Sequence, residues 1–529
     1  MDDGRFDAIA IGSGIGALTA AAILARLGRR RVLVLERHSV LGGFTHQFRR
    51  QQGRTWDVGV HYVGDLHQGS TGRAVFDYVS DGGIRWNRMP EPFERFVYPD
   101  FSFDVYGDEA RYRADLVLRF PQERASIERY FRDLKRAAAW GLRHFTAGLL
   151  PAPIGPALRW MTSFSSALPL SITRDHLDRT FRDPQLKALL VSQWRDHGLP
   201  PDRSAFLSHA IIATHYLNGG YYPVGGAGSI ARAIAPVIEG AGGACRVRRD
   251  VQRVLVENGR AIGVEVVHRK GGRDRIERYT AQLVISNAGA HNTYTRLLPR
   301  ELAGTVPEQI DALGPAPTAV SLYVSFRESP ARLGFRGENI WISEDYEHDA
   351  ERESEDALRG RPSGCYLSFP SLKDPEASVH TAEILVMPAY EPFKRWADRS
   401  WKQRGDEYEA LKTRMAEGMI DLVDRHFPGF RDLIDYRELS TPLSVEHFAG
   451  HPRGAIYGLP GTPERFRQAW LGVRTPVENL FLAGADVYFH GVLGAAMGGV
   501  AAAGAALGPF GFVRAMAEIM ASHRRGRSS

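Results

Sequence analysis

Cysteine is almost absent from this chain: two residues, Cys245 and Cys365, in 529. They form no CxxC pair, no zinc-ligand spacing and no disulfide framework, which excludes a disulfide-stapled secreted scaffold and suits a reducing compartment. Charge of one sign is also missing. Lys and Arg outnumber Asp and Glu by 67 to 61, too small an excess over this length for a nucleic-acid surface. What remains is a mixed solvated surface with a slight pull toward anionic membranes. No long apolar run is suited to spanning a bilayer. Gly491 to Gly508 comes nearest, but it is mostly Gly and Ala, the composition of a helix packed closely against backbone or cofactor. The stretch 147–172 carries one charge, Arg159, and four prolines that break any single spanning helix. Internal repeats and low-complexity linkers are lacking too. The polar start, Met1 to Arg5, runs directly into the first strand and reads without a signal peptide. The expected location is therefore the cytoplasm. Peripheral contact with the membrane face is expected through 147–172 or through the amphipathic, basic-ended tail 508–529.

What is present begins with "FDAIAIGSGIGALTAAAILARLGRRRVLVLERH", Phe6 to His38. An apolar strand leads into Gly12-Ser13-Gly14-Ile15-Gly16-Ala17, a G-x-G-x-x-A turn. A helical pattern follows to Gly28, then a second strand ending in Glu36, with Arg37 beside it. This is a complete strand–turn–helix–strand unit. Gly12 permits the tight turn, Gly14 lets backbone approach a pyrophosphate, and Ala17 lets the helix pack close to the strand. The helix N-terminus faces the phosphates, and Glu36 falls where a ribose hydroxyl would bind. A second G-x-G-x-x-A, Gly226 to Ala231, lacks the preceding apolar strand and the following acid. It reads as a turn shaping the substrate side rather than a nicotinamide site. "DVQRVLVENGRAIGVEVV" reads as a hairpin through Asn258-Gly259, and "LVISNAG" as a further strand returning to the same sheet.

Two further pieces separate FAD from NAD. Gly42-Gly43 follows Glu36 closely, and "NLFLAGADVYFHGVLGAAMGG", Asn479 to Gly499, reads as strand, Gly484-Ala485-Asp486, then a small-residue helix. In this order they resemble the large FAD-dependent superfamily of amine oxidases and carotenoid desaturases. Within it, "DVGVHYVGD", "NGGYYPVGGAGSIA", "VISNAGAHNTYTRLLP", "SFPSLKDP", "HPRGAIYG" and the GAD motif are similar to the retinol saturase branch of the phytoene desaturase-like flavoproteins. The resemblance implies an α/β, Rossmann-type FAD-binding domain of the amine-oxidase-like kind, interleaved with an α+β substrate domain. The FAD domain is expected at 1–77, 224–300 and 475–507, the substrate domain at 78–223 and 301–474, and a basic tail at 508–529. It also implies that Asp486 meets the ribitol or pyrophosphate region, that Val251 gives backbone contacts to adenine, and that Gly484 and Gly494 belong to the cofactor site. His46 and His490 stand where the animal saturases are expected to carry cysteine.

The implied chemistry is redox at a carbon–carbon double bond of a lipophilic molecule: a retinoid, a carotenoid, another isoprenoid or an unsaturated acyl chain. Flavin supplies or accepts the hydride. The protein adds an apolar channel and one proton donor. Candidate donors are His61, Tyr62, Tyr222 and His490, with Tyr221 and Tyr488 beside them, while Met497 reads as packing. Saturation, desaturation and cis–trans isomerisation all remain open, because an external electron donor or acceptor sets the direction. A lipid-binding escort of the same fold, without flavin catalysis, is the non-enzymatic alternative. The charged run "SEDYEHDAERESEDALRGR" reads as a solvated face.

Overall fold

The computed structural model describes residues 5–270 and 273–526. Most of the polar start, Met1 to Gly4, and the last three residues of the tail lie outside the described residues. Two seven-stranded sheets organise the chain.

The first sheet carries the opening motif. Strand Arg5–Ile11 pairs in parallel with Val32–Leu35 on one side and with the second half of Arg273–Ser286 on the other. Ala244–Arg246 extends one edge, and Leu480–Leu482 adds in parallel to Ser286 and its neighbours. Strand period sorts the side chains. Ala8, Ala10, Val32 and Val34 face one hydrophobic cluster, while Ile9, Ile11, Leu33 and Leu35 face another. Burial on both faces is what a parallel sheet requires. The first half of Arg273–Ser286 pairs antiparallel with Arg260–Lys270, which pairs with Arg249–Glu257 through the expected hairpin. Asn258 and Gly259 both take positive φ, 49° and 75°, as a type I′ turn needs.

Helix Ile15–Arg26 lies across this sheet with eleven of its twelve residues buried. Helix Gly491–Ala506 packs on it through glycine. A Cβ on Gly499 would lie 2.8 Å from Thr19 Cβ, and one on Gly16 would lie 2.7 Å from Gly484 Cα. The second glycine turn leads into helix Gly228–Gly240, which packs on the same side and delivers the edge strand Ala244–Arg246.

The second sheet runs in the order 434–440, 320–326, 380–386, 364–368, 339–343, 94–97, 102–105. Its pairs are antiparallel except 339–343 with 94–97. Helix Asp406–His426 covers one face. The two-stranded ribbon Gln47–Arg49 and Thr55–Asp57 joins the sheets: Trp56 Nε1 donates to Val324 O at 2.9 Å, and Asp57 N donates to Glu383 Oε1 at 3.0 Å.

Two expectations are corrected. The tail forms helix Gly511–Gly526, but Phe512, Ala515 and Ile519 are buried against the helices of the first sheet, so its apolar face is already used. The charged run is not all solvated. Glu353 forms a buried ion pair with Arg195 at 2.6 Å, and His348 is buried with its Nδ1 accepting from Trp194 Nε1 at 3.1 Å. Ion pairing, rather than exposure, accommodates the charge there.

The helix contact at Gly499 sits behind the glycine motifs and does not border the cavity described below. Gly499→Leu is expected to overpack it and lower stability by about 1–3 kcal/mol. Thermal unfolding would read this as a melting point several degrees lower.

Candidate active site

A cavity of about 1390 Å³ runs along the C-terminal ends of the parallel strands. That is where open α/β sheets bind ligands. Gly12, Ser13, Gly14, Gly16, Glu36, Arg37, Gly42, Gly43, Val251, Gly484 and Asp486 all border it. Ala17 does not. It is fully buried at the helix–strand contact, as its packing role requires.

The cradle is built by hydrogen bonds between motifs. Glu36 Oε2 accepts from Ser13 N at 2.9 Å and Ser13 Oγ at 2.6 Å, and its Oε1 accepts from His38 N at 2.7 Å. Ser13 Oγ accepts in turn from Gly42 N at 2.9 Å, which locks the second glycine pair onto the first. Gly42 has φ 122°, and a Cβ on Gly43 would lie 2.9 Å from Gly14 Cα. A Cβ on Gly14 would lie 2.5 Å from Asn287 Nδ2. No side chain caps the helix that starts at Ile15, so its first backbone N–H groups are open to an anion. Arg37, Arg232, Arg249 and Arg296 add positive charge along the wall. A long groove with a glycine-lined phosphate seat, an acid at the ribose position and cations around it fits a dinucleotide.

Asp486 closes the far end. Its Oδ2 accepts from Ala290 N at 2.7 Å and its Oδ1 from Leu459 N at 2.8 Å. One carboxylate therefore pins the exit of strand Arg273–Ser286 and the loop carrying Tyr457. Gly491, Val492 and Ala495 line the cavity at the start of the last long helix. Gly494 does not. It packs against the backbone of Phe489.

None of the four candidate proton donors borders this cavity. His490 is 2% exposed and sits against Arg465 and, at 2.9 Å, Leu459 O. Burial and the Arg465 guanidinium hold His490 well below the ordinary histidine value. Arg465, itself buried, donates to Leu459 O, Ala485 O and Asp486 O at 2.6, 2.6 and 3.1 Å. The pair braces the GAD loop. Tyr222 is bonded to Asp57, whose Oδ1 accepts from Ala227 N at 2.9 Å. His61 Nδ1 lies 2.8 Å from Glu383 Oε2 but out of line for a hydrogen bond. Burial and Lys373 push His61 down to about 3, so at neutral pH this contact is not an ion pair. Tyr62 lies between Glu94 and Asp196.

Tyr222, His61 and Tyr62 belong to one buried cluster behind the cavity wall at Val58 and Gly59. Sequence reasoning missed most of its members: Asp57, Glu94, Asp196, Glu383 and Lys373. Lys373 Nζ donates to His61 O at 2.9 Å, to Ser368 Oγ at 2.7 Å and to Asn339 Oδ1. Glu94 and Glu383 sit inside apolar strands, where a lone acid reads as a solvent-facing position. Tyr457, which borders the cavity, was also missed.

The cluster makes stability depend on pH. Asp57 is pushed up to about 7, first by burial and then by Glu383, and Glu383 is pushed up to about 8 by burial. Both folded values exceed the ordinary 3.8 and 4.5. The folded state therefore binds more protons across that window, and stability falls as pH rises through it. Lys373, pushed down to about 7 by burial, opposes this from there upward, and the histidines buried neutral, His61 among them at about 3, oppose it below 6.5. The histidines are common to wild type and Glu383→Gln, so the comparison of the two isolates the acids: thermal unfolding should show the wild type losing on the order of 1–3 kcal/mol relative to Glu383→Gln between about pH 4 and pH 8.

Comparison with known proteins agrees with this geometry. The family model described as flavin containing amine oxidoreductase matches residues 18–507. All-trans-retinol 13,14-reductase of Homo sapiens is 33% identical over 95% of this chain and 86% of its own length. Prolycopene isomerase 2, chloroplastic, of an Oncidium hybrid cultivar is 26% identical over 96% and 85%. Among solved structures, putrescine oxidase bound to putrescine superposes with a TM-score of 0.62 at 15% identity, covering 95% of this chain and 99% of that one. The chain is an FAD-dependent oxidoreductase, and it belongs to the flavin containing amine oxidoreductase family.

Proposed function

We propose that this protein reduces a carbon–carbon double bond of a long lipophilic molecule of the retinoid or carotenoid type. The single observation that carries this is the continuity of the cavity. One space is lined both by the phosphate seat at Gly14 with Asp486 and by walls of Phe44, Phe48, Tyr323, Tyr408 and Phe448. A polyene would find apolar and aromatic surface along its length there. The one-third identity with a retinol reductase supports the same reading. FAD, when bound, supplies the hydride. The glycine cradle and Glu36 hold it, Asp486 fixes the loops around its far end, and the aromatic walls exclude water and orient the lipid.

The likeness to prolycopene isomerases supports a second reading, a change of geometry with no net redox. Electrons come from a separate donor on either reading. The turn Gly226–Ala231 follows a three-residue strand paired with Trp86–Arg88, outside the parallel sheet, and does not build a nicotinamide site. Product mass distinguishes the readings. The flavin-loaded protein, reduced without oxygen and given retinoids, carotenoids and unsaturated acyl lipids, is expected to add two hydrogens to one of them. Unchanged mass with altered retention on chromatography would make it an isomerase. Loss of two hydrogens by the oxidised protein would make it a desaturase.

We also propose that the protein takes this lipid from an anionic membrane surface on the cytoplasmic side. The stretch 147–172 forms helix Ile154–Ser163, tied to helix Arg124–Ala147 by Trp140 Nε1 donating to Thr162 O at 2.8 Å. Ile154, Trp160, Met161 and Phe164 are exposed beside Leu142, with Trp160 65% and Phe164 71% exposed. Arg143 and Arg159 are exposed among them. Phe145, on the same long helix, packs 4.6 Å from Tyr488, two residues past Asp486. No helix among the described residues is long and apolar enough to cross a membrane. An aromatic and basic patch on a short helix suits the interface instead. Flotation with vesicles containing phosphatidylserine should carry the protein upward, and a Trp160→Ser, Phe164→Ser double variant should bind about tenfold more weakly. Wild-type protein left at the bottom would overturn the proposal.

A further inference from the structure

Tyr62 Oη lies 2.5 Å from Glu94 Oε1 and 2.5 Å from Asp196 Oδ2. Each oxygen–oxygen contact of that length requires a hydrogen between the atoms. The phenol has one to give. The other must come from a carboxyl group, so either Glu94 or Asp196 is a neutral acid.

The surrounding donors say which. Glu94 also accepts from Gln193 Nε2 at 2.5 Å and from Trp341 Nε1 at 3.2 Å. With Tyr62 it receives three donors, the environment of a carboxylate. Among the described residues no donor but Tyr62 bonds the Asp196 carboxyl. Asp196 therefore carries the proton and donates it to Tyr62 Oη, while Tyr62 donates to Glu94. Burial and the Glu94 charge both push Asp196 well above the ordinary carboxyl value.

Position gives this acid a use. Glu94 is 1% and Tyr62 5% exposed, both sealed, but Asp196 keeps accessible surface. The groups facing the trio are Lys373 and the phenols of Tyr112, Tyr216, Tyr366 and Tyr457. Tyr216 stacks on the Tyr62 ring, with centroids 4.1 Å apart and planes 9° apart, and holds it in place. Lys373 is committed to His61 O and Ser368. A Cβ on Gly198, two residues past Asp196, would lie 2.8 Å from the Tyr457 ring, and Tyr457 alone of these groups borders the cavity.

Resting on the reduction reading above, we propose that Asp196 stores the proton the reaction consumes and that Tyr457 passes it into the cavity. With reduced flavin as the source, one carbon of the double bond would gain a hydride and the flavin would be oxidised. The π pair of that bond takes a proton at the other carbon from the Tyr457 O–H. The Tyr457 oxygen takes the proton from Asp196 as that O–H bond breaks, leaving a carboxylate that recovers a proton from water. Asp196 is a positioning residue in this scheme and Tyr457 the group that meets the substrate.

Infrared spectroscopy of the flavin-loaded protein at pH 7, in H₂O and D₂O, tests the storage step without turnover. A protonated-carboxyl C=O band that the Asp196→Asn spectrum lacks is expected in the wild type and in Tyr457→Phe, set apart by that difference from the bands of Asp57 and Glu383. Glu94→Gln, which removes the carboxylate that forces the proton onto Asp196, should weaken it. Reduction of the lipid should fall at least about 100-fold in Asp196→Asn and Tyr457→Phe, with the flavin spectrum and its chemical reduction unchanged. An Asp196→Asn spectrum that retains every protonated-carboxyl band of the wild type, or a rate in that variant within twofold of wild type, would overturn the proposal. If the band behaves as expected but no lipid gains hydrogen in the wild type, the reduction reading fails and the delivery step falls with it, while the assignment of the proton to Asp196 stands.

Discussion

Gly16 and Gly484 touch backbone to backbone, and much of the structure follows from that contact. Residues 468 positions apart in sequence meet where a Cβ on the first would lie 2.7 Å from the Cα of the second. Asn287, from a third segment, fills the same corner. The three chain segments converge because strand Arg273–Ser286 lies between Arg5–Ile11 and Leu480–Leu482 in one parallel sheet. Parallel strands need long crossovers, and the crossovers here are large enough to form the second sheet and its helices. The interleaved plan is thus a consequence of building the cofactor seat from three distant pieces, each needing glycine or a small side chain at the junction.

The cradle and the acid cluster solve opposite electrostatic problems. The cradle must accept a polyanion, so it offers uncapped N–H groups and arginines, and the acids of its motifs, Glu36 and Asp486, are each already bonded to backbone N–H groups. The cluster holds carboxyls with little positive charge to balance them. Three buried acids, Asp57, Glu94 and Glu383, and the half-buried Asp196 surround one committed ammonium, Lys373. Ionising all four in such surroundings would cost far more than their hydrogen bonds return. Protons stay on some of them instead. A site meant to protonate an unactivated carbon benefits from that, because water alone is a poor acid and a polyene offers no polar handle by which to hold one.

The sequence made the first of these legible and not the second. G-x-G-x-x-A, Glu36, Gly42-Gly43 and Gly484-Ala485-Asp486 each carry a local backbone requirement, so their spacing is readable without a fold. The Asn258-Gly259 hairpin is readable for the same reason. The acid cluster has no such signature. Glu94, Asp196 and Glu383 are isolated acids in three unrelated segments, and only the folded chain brings two strands of the second sheet and the short helix Ser192–Asp196 together around Tyr62. The candidate donors lie in the stretches that carry the family resemblance. Tyr62 proved to be the hub of the cluster, whereas His490 turned inward to brace Arg465. Amphipathicity misled at the tail, since its apolar stripe is spent on the first sheet's helices.

The two sheets therefore divide the work by what each can hold still. The parallel sheet, buried on both faces, fixes a cofactor by backbone geometry that tolerates almost no side chain. The mixed sheet carries Glu94 and Glu383 on strands whose pairing sets them within bonding distance of the ribbon Gln47–Asp57 and the loop that follows it. That segment is the mechanical link. Its backbone lines the cavity at Val58 and Gly59, and its side chains, Asp57, His61 and Tyr62, reach back into the acid cluster. A shift of the second sheet would move the cavity wall and loosen the contacts that keep Asp196 neutral at the same time. Proton storage and substrate position are in this way set by the same eight residues, 57–64, and neither can be tuned without disturbing the other.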